Sequence, residues 1–187
     1  MKYKYWLVYI GPFAGLITSC VPQAFPKTDY ATHLTSDERR LLKQGQQVDK
    51  VHASYWRFKP SQLYYQGPLR AQQDSVGKVQ FTPYGMWQRW YKSGAIKDTT
   101  VYSTGGKASY VRYYREDGTL YLVSNTVPKL VDGRIFLESL DIEFGSNKLD
   151  TVMIRRWGWF EHNGNTVLDE RIEFDSNGHR KAVTKVK

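Results

Sequence analysis

Trp90-Tyr91-Lys92-Ser93-Gly94-Ala95-Ile96 and Tyr113-Tyr114-Arg115-Glu116-Asp117-Gly118-Thr119-Leu120 are the stretches whose reading decides the fold of this chain. Each carries an aromatic pair, a few polar residues, a glycine and then an aliphatic side chain. The glycine supplies the positive φ of a tight reversal, and the aromatic pair covers the sheet face beside it. Both stretches read as hairpins. Weaker copies of the unit lie at 159–164 and 173–178, and further turn signals stand at Gly105-Gly106, Asp132-Gly133, Gly145-Ser146-Asn147, Asn163-Gly164 and Asn177-Gly178. Between them lie runs of strand length at 86–91, 95–102, 110–115, 120–125, 134–144, 152–160 and 167–174. Connections this short make neighbouring strands antiparallel.

The expected fold is mainly β, an antiparallel meander of about eight strands preceded by one short helix. Such a meander either stays open or closes into a barrel by pairing its first and last strands. Upstream, aromatic runs at 54–58 and 62–65 flank Lys59-Pro60-Ser61, and the polar stretch after Gly67-Pro68, up to Gly77, reads as a loop. Residues 36–45 spell a helix: Ser36 as cap, Asp37 and Glu38 in the first turn, Arg39, Arg40 and Lys43 later, and Gly45 as the stop. The domain is expected to span 36–187, with repeats over about 84–181.

The repeated unit resembles the MORN-variant repeats of bacterial exported proteins, in which each unit is a hairpin. The spacing of Gly94 and Gly118 is near that of the family, whereas Arg134–Phe144 lacks the aromatic-pair-plus-glycine unit. The resemblance implies an open, non-catalytic sheet.

The other end of the chain carries an address. Lys2 and Lys4 form a positive start, an apolar stretch follows from Trp6 to Ile17, and Thr18-Ser19 leads into Cys20. These are the requirements of an export signal over 1–19. Ile17-Thr18-Ser19-Cys20 resembles the lipobox of bacterial lipoproteins, which implies acylation (palmitate included) of Cys20, a lipidated tether over 20–35 and a membrane anchor. Val21 after the cysteine resembles the pattern sent to the outer membrane where the host has one. A membrane-spanning helix is the competing reading, but Pro12, Pro22 and Pro26 interrupt a segment already short for crossing a bilayer. Cys20 is the only cysteine, so no disulfide or thiolate metal site is expected within the chain.

A formal charge of +9 favours anionic envelope partners, whether lipid or glycan, alongside an envelope protein; nucleic acid is not expected, because the signal leads away from it. The chemistry of catalysis is hard to find. His33, His52, His162 and His179 show no ligand spacing, and neither metal nor cofactor is expected. Asp141 and Glu143 share a strand face, read as the solvent side because Leu140, Ile142 and Phe144 take the other. Glu161-His162-Asn163 is read as turn chemistry. The candidate ligand-binding residues are those where rings and guanidinium groups interleave: Arg89, Trp90 and Tyr91; Arg112, Tyr113 and Tyr114; Arg156, Trp157 and Trp159. Facing solvent, they stack on sugar faces and meet phosphate; facing inward, they are core. The expected function is a non-catalytic envelope lipoprotein that binds a protein or an anionic polymer, with a lipocalin-like carrier of a small apolar ligand as the alternative.

Overall fold

The computed structural model describes residues 30–145, 150–161 and 166–186. The expected export signal and the Cys20 anchor lie outside the described residues, as do Ser146-Asn147 and Asn163-Gly164. After a 3-10 turn, Tyr30–His33, and one helix α1, Ser36–Lys43, the chain forms strands β1 Val48–Trp56, β2 Lys59–Gln73, β3 Val79–Pro83, β4 Gly85–Trp90, β5 Ile96–Tyr102 and β6 Ala108–Tyr114. Five more follow: β7 Leu120–Val131, β8 Arg134–Phe144, β9 Thr151–Phe160, β10 Thr166–Phe174 and β11 Arg180–Val186. All belong to one antiparallel sheet of 11 strands in the order β1-β2-β4-β5-β6-β7-β8-β9-β10-β11, with β3 attached to β2. The mainly β meander with one short helix is therefore present. It is open, and the barrel alternative is set aside because β1 and β11 end the order without pairing.

One turn is used again and again. At 74–78, 91–95, 103–107, 115–119 and 175–179 the first residue's amide donates to the fifth carbonyl, and the fourth, always glycine, donates back to the first. That glycine has φ between 77° (Gly106) and 95° (Gly94). This is a type I turn followed by a left-handed bulge residue, and register shifts accompany it at Trp90, Tyr102, Tyr114 and Phe174. Gly94, Gly106 and Gly118 are evenly spaced, so the resembled unit is a pair of hairpins with Gly106 at the opposite sheet edge. Asp132-Gly133 differs: both residues have positive φ, 48° and 70°, and close a two-residue turn between Val131 and Arg134.

The upstream expectation fails in an instructive way. The first hairpin turns at Arg57-Phe58, with Trp56 opposite Lys59, so Lys59-Pro60-Ser61 opens a strand rather than separating two. The strand β2 then runs through Gly67-Pro68 and on to Gln73, into the stretch up to Gly77 where a loop was expected. β3 and β4 lie end to end along one side of it. The Pro68 carbonyl accepts from the Tyr84 amide at 3.2 Å and from Trp87 Nε1 at 2.9 Å. Its proton-less nitrogen therefore faces the β3–β4 junction, where the ladder is already interrupted. Gly67 faces the Trp87 ring, which covers it.

Tyr30, Leu34 and Leu42 are buried, so among the described residues the segment before 36 already joins the packing. Thr35, not Ser36, caps α1 and forms a reciprocal capping box with Glu38. Gly45, at φ 74°, and Gln46 return hydrogen bonds to Leu42 and Leu41 and stop the helix. The helical segment covers one face of β1–β3, here the inner face. Tyr30, Tyr65, Leu69 and Trp87 form one core cluster there, and Leu34, Leu42, Val48 and Ala71 another. No helix among the described residues is long and apolar enough to cross a membrane.

His52 sits inside this packing at 3% exposure, edge-on to Tyr30 and His33 and stacked on Tyr65. Burial first, then the charges of His33 and Lys50, pulls its pKa from 6.5 to about 4. The unfolded chain thus binds a proton between those values that the folded chain refuses. Stability is expected to be full above pH 6.5 and to fall by about 3 kcal/mol as pH drops to about 4. Denaturation midpoints measured across that window should flatten in His52→Gln; an unchanged slope would contradict the assignment.

Candidate functional site

Beyond β3 no helix among the described residues covers the inner face, yet its central row is buried. The row is polar. Arg89 donates to Asp98 at 2.6 Å, and Thr100 lies on the other carboxylate oxygen at 3.4 Å. Burial pushes the Asp98 carboxyl up, against the pull of Arg89. Three strands on, Asp141 accepts from Ser124 at 2.6 Å, Ser139 at 3.1 Å and Trp157 Nε1 at 2.8 Å. Next, Arg155 grips Asp169 with two bonds of 2.8 Å, which hold the Asp169 carboxyl below its usual range.

The expected orientation of β8 is therefore reversed. Asp141 is 2% exposed and faces inward, whereas Leu140 is 41% exposed on the outer face. Neighbouring strands supply the donors: Ser124 stands directly across from Asp141 on β7, and Trp157 lies diagonally across on β9. Every donor to this carboxylate is neutral, and each is satisfied by it. The arrangement is a hydrogen-bonded spine, not an acid–base pair, because Glu143 does not join it.

The polar row gives way to an apolar trough toward the edge that carries the β5–β6 and β7–β8 turns. Its volume is about 510 Å³, and Ala108, Pro128, Ile135, Leu137 and Trp159 form its apolar lining. Ser103, Ser109 and Thr126 contribute hydroxyl groups, and Lys107 stands at the rim. The trough is made by cross-strand ladders: Leu137 stands opposite both Pro128 and Trp159, and Ile135 opposite Leu130. Trp159 is held by stacking on Trp157, ring centroids 4.6 Å apart. Lys107 of the β5–β6 turn forms an ion pair with Glu161 just after β9. Flat strands spaced by about 4.8 Å would place β6 and β9 about 14 Å apart, so the sheet curls toward its inner face here. The row continues outward along the β7–β8 arm to Leu130, which is 77% exposed.

The nine candidate ligand residues do not converge. Arg89, Tyr113, Trp157 and Trp159 face inward, and only Trp159 lines the trough. Trp90, Arg112, Tyr114 and Arg156 take the outer face, and Tyr91 enters a turn where its hydroxyl donates to the Tyr114 carbonyl at 2.8 Å. Arg112 leans on Tyr110, its guanidinium 5.3 Å from the ring centroid. Arg156 and Lys129 pair with Glu138, and their hydrogen bonds lower that carboxyl's pKa. A continuous ring-and-arginine platform is thus not assembled. The trough residues were missed because Pro128 breaks the alternation of β7, which placed its end near residue 125. Among the described residues no group of three or more His, Cys, Asp or Glu side chains is placed to hold a metal. Comparison with protein-family models, curated proteins and solved structures finds no match.

Proposed function

We propose that this chain is a non-catalytic binding protein of the cell envelope, anchored through Cys20, which holds an elongated apolar ligand in the trough between β6 and β9. One observation carries the reading: an apolar concavity of about 510 Å³ whose rim bears the Lys107–Glu161 ion pair. Its size falls in the range of small-molecule sites, and its few polar groups sit at one side, as an orienting set does. Lys107 suits a ligand with an anionic end, which would compete with Glu161 for the ammonium. The envelope location rests on the signal-like start of the chain and is tested apart, by metabolic lipid labelling of Cys20→Ala, which should abolish the label.

Titration with a fluorescent fatty acid tests the trough. Saturable binding is expected, weakened about tenfold or more by Ile135→Glu, which puts a charge against the apolar wall. Ile135 is 41% exposed, so the variant should keep the parent's denaturation midpoint. Equal binding by parent and variant would remove the trough from consideration. A protein partner is the second reading, favoured by the exposed Leu130 on the arm that prolongs the trough. In that case a partner captured by the parent should be lost with Ile135→Glu while the fatty acid shows no saturable binding. The MORN-like repeat is in keeping with either reading, since it describes the scaffold and not the cargo.

A further inference from the structure

At the sheet edge opposite the trough, the β1–β2 hairpin ends in Trp56-Arg57-Phe58-Lys59. Phe58 is 85% exposed in the two-residue turn, and Tyr55 beside it is 51% exposed. The neighbouring β4–β5 turn adds Lys92, joined to the tip by a bond of 3.1 Å from Lys59 Nζ to the Lys92 carbonyl. Lys92 and Arg57 lie over rings, 5.4 Å from the Trp56 centroid and 5.5 Å from that of Phe58. Among the described residues none of Arg57, Lys59 or Lys92 has a carboxylate at ion-pair distance, whereas most other cations of the inner face and the β8–β9 region do.

We infer that this tip docks on an anionic lipid surface. A protruding ring ringed by un-neutralised cations suits a bilayer interface: Phe58 enters the headgroup–acyl boundary, Trp56 and Tyr55 suit its mixed polarity, and the cations meet phosphate. The fixed hairpin turn presents Phe58 without an ordering cost that a loose segment would bear. Charge decides against a neutral partner, and apolar exposure decides against a purely ionic one. The tip and the trough lie at opposite edges of the sheet, so a molecule docked at one leaves the other facing away from the bilayer.

The test uses the chain without residues 1–19 and carrying Cys20→Ala, so that neither acylation nor the apolar stretch from Trp6 to Ile17 holds it to lipid, mixed with vesicles of phosphatidylcholine alone or with added phosphatidylglycerol. Binding should require phosphatidylglycerol and weaken with salt. Phe58→Ala should reduce partition about tenfold, and Arg57→Gln with Lys59→Gln about thirtyfold. Quenching of tryptophan fluorescence by brominated acyl chains should fall with Phe58→Ala. Ile135→Glu should leave vesicle binding intact, which separates this inference from the trough reading. Partition unchanged in both tip variants, or loss of binding to a soluble anionic polysaccharide with vesicle binding unaltered, would overturn it. These side chains are exposed, and an unaltered denaturation midpoint verifies that the variants are folded.

Discussion

Gly67→Ala is expected to destabilise the protein by about 3–4 kcal/mol, visible as a large drop in denaturation midpoint. A Cβ built at Gly67 would stand 2.2 Å from the Trp87 ring, and a buried indole is not the yielding end of a flexible chain. To make room the ring must leave a site where it is 4% exposed, stacked on Tyr65 with centroids 6.0 Å apart. Its Nε1 bond to the Pro68 carbonyl is then lost as well, at the one place where β2 is bridged to both β3 and β4. For a domain whose whole stability is about 5–15 kcal/mol, that is a major fraction. Gly118→Ala is the control: nothing lies within 4 Å of its Cβ, so only the strain of its φ of 83° is felt. If Gly67→Ala costs no more than that, Trp87 is not clamped as described.

Arg155→Met is expected to cost about 3–5 kcal/mol, because it leaves the Asp169 carboxylate buried with only Arg171, 3.6 Å away, as a partial substitute. Desolvation, not the lost pair alone, sets that size. Arg155→Met with Asp169→Leu should recover most of the loss, since the row then holds no unpaired charge. The sign with pH follows from Asp169, whose folded pKa is depressed. In the parent its stabilising effect is present above the unfolded carboxyl pKa and disappears as pH falls through the folded one. The gap between parent and Arg155→Met should therefore narrow toward low pH. Denaturant titrations of the three proteins at neutral and acidic pH check both statements; a double variant as unstable as the single one would contradict them.

Much of the fold could be read from glycine. The turns at Gly94, Gly106, Gly118, Gly133 and Gly178 all have the positive φ that their sequence context demands, and β8 has the expected bounds. The second half of β2, β3 and β11 escaped. Gly67-Pro68 reads as a break because its two exceptions to strand chemistry are resolved only by residues 84 and 87, which local sequence does not connect to it. The inner face escaped for a related reason. Alternation on β8 separates two sets of side chains but does not say which is buried, and Asp141 is inside because Ser124, Ser139 and Trp157 arrive from three places in the chain. Of the candidate residues, Trp159 alone reaches the trough. The rule that joined arginines to rings was sound as local chemistry, for Arg112 and Tyr110 do pair, but it was blind to which face each pair would take.

The even spacing of Gly94, Gly106 and Gly118 bears on how such a chain is assembled. Nearly every strand from β4 onward lies beside the strand that precedes it in sequence, so forming the sheet demands few distant loop closures. Growth by zippering, one reversal after another, is the natural route, and it favours fast folding for an all-β protein. The same adjacency sets the order of dismantling under load: pulled from its carboxyl end, the sheet should surrender β11 and β10 first, with the clamp at Gly67 among the last parts to yield.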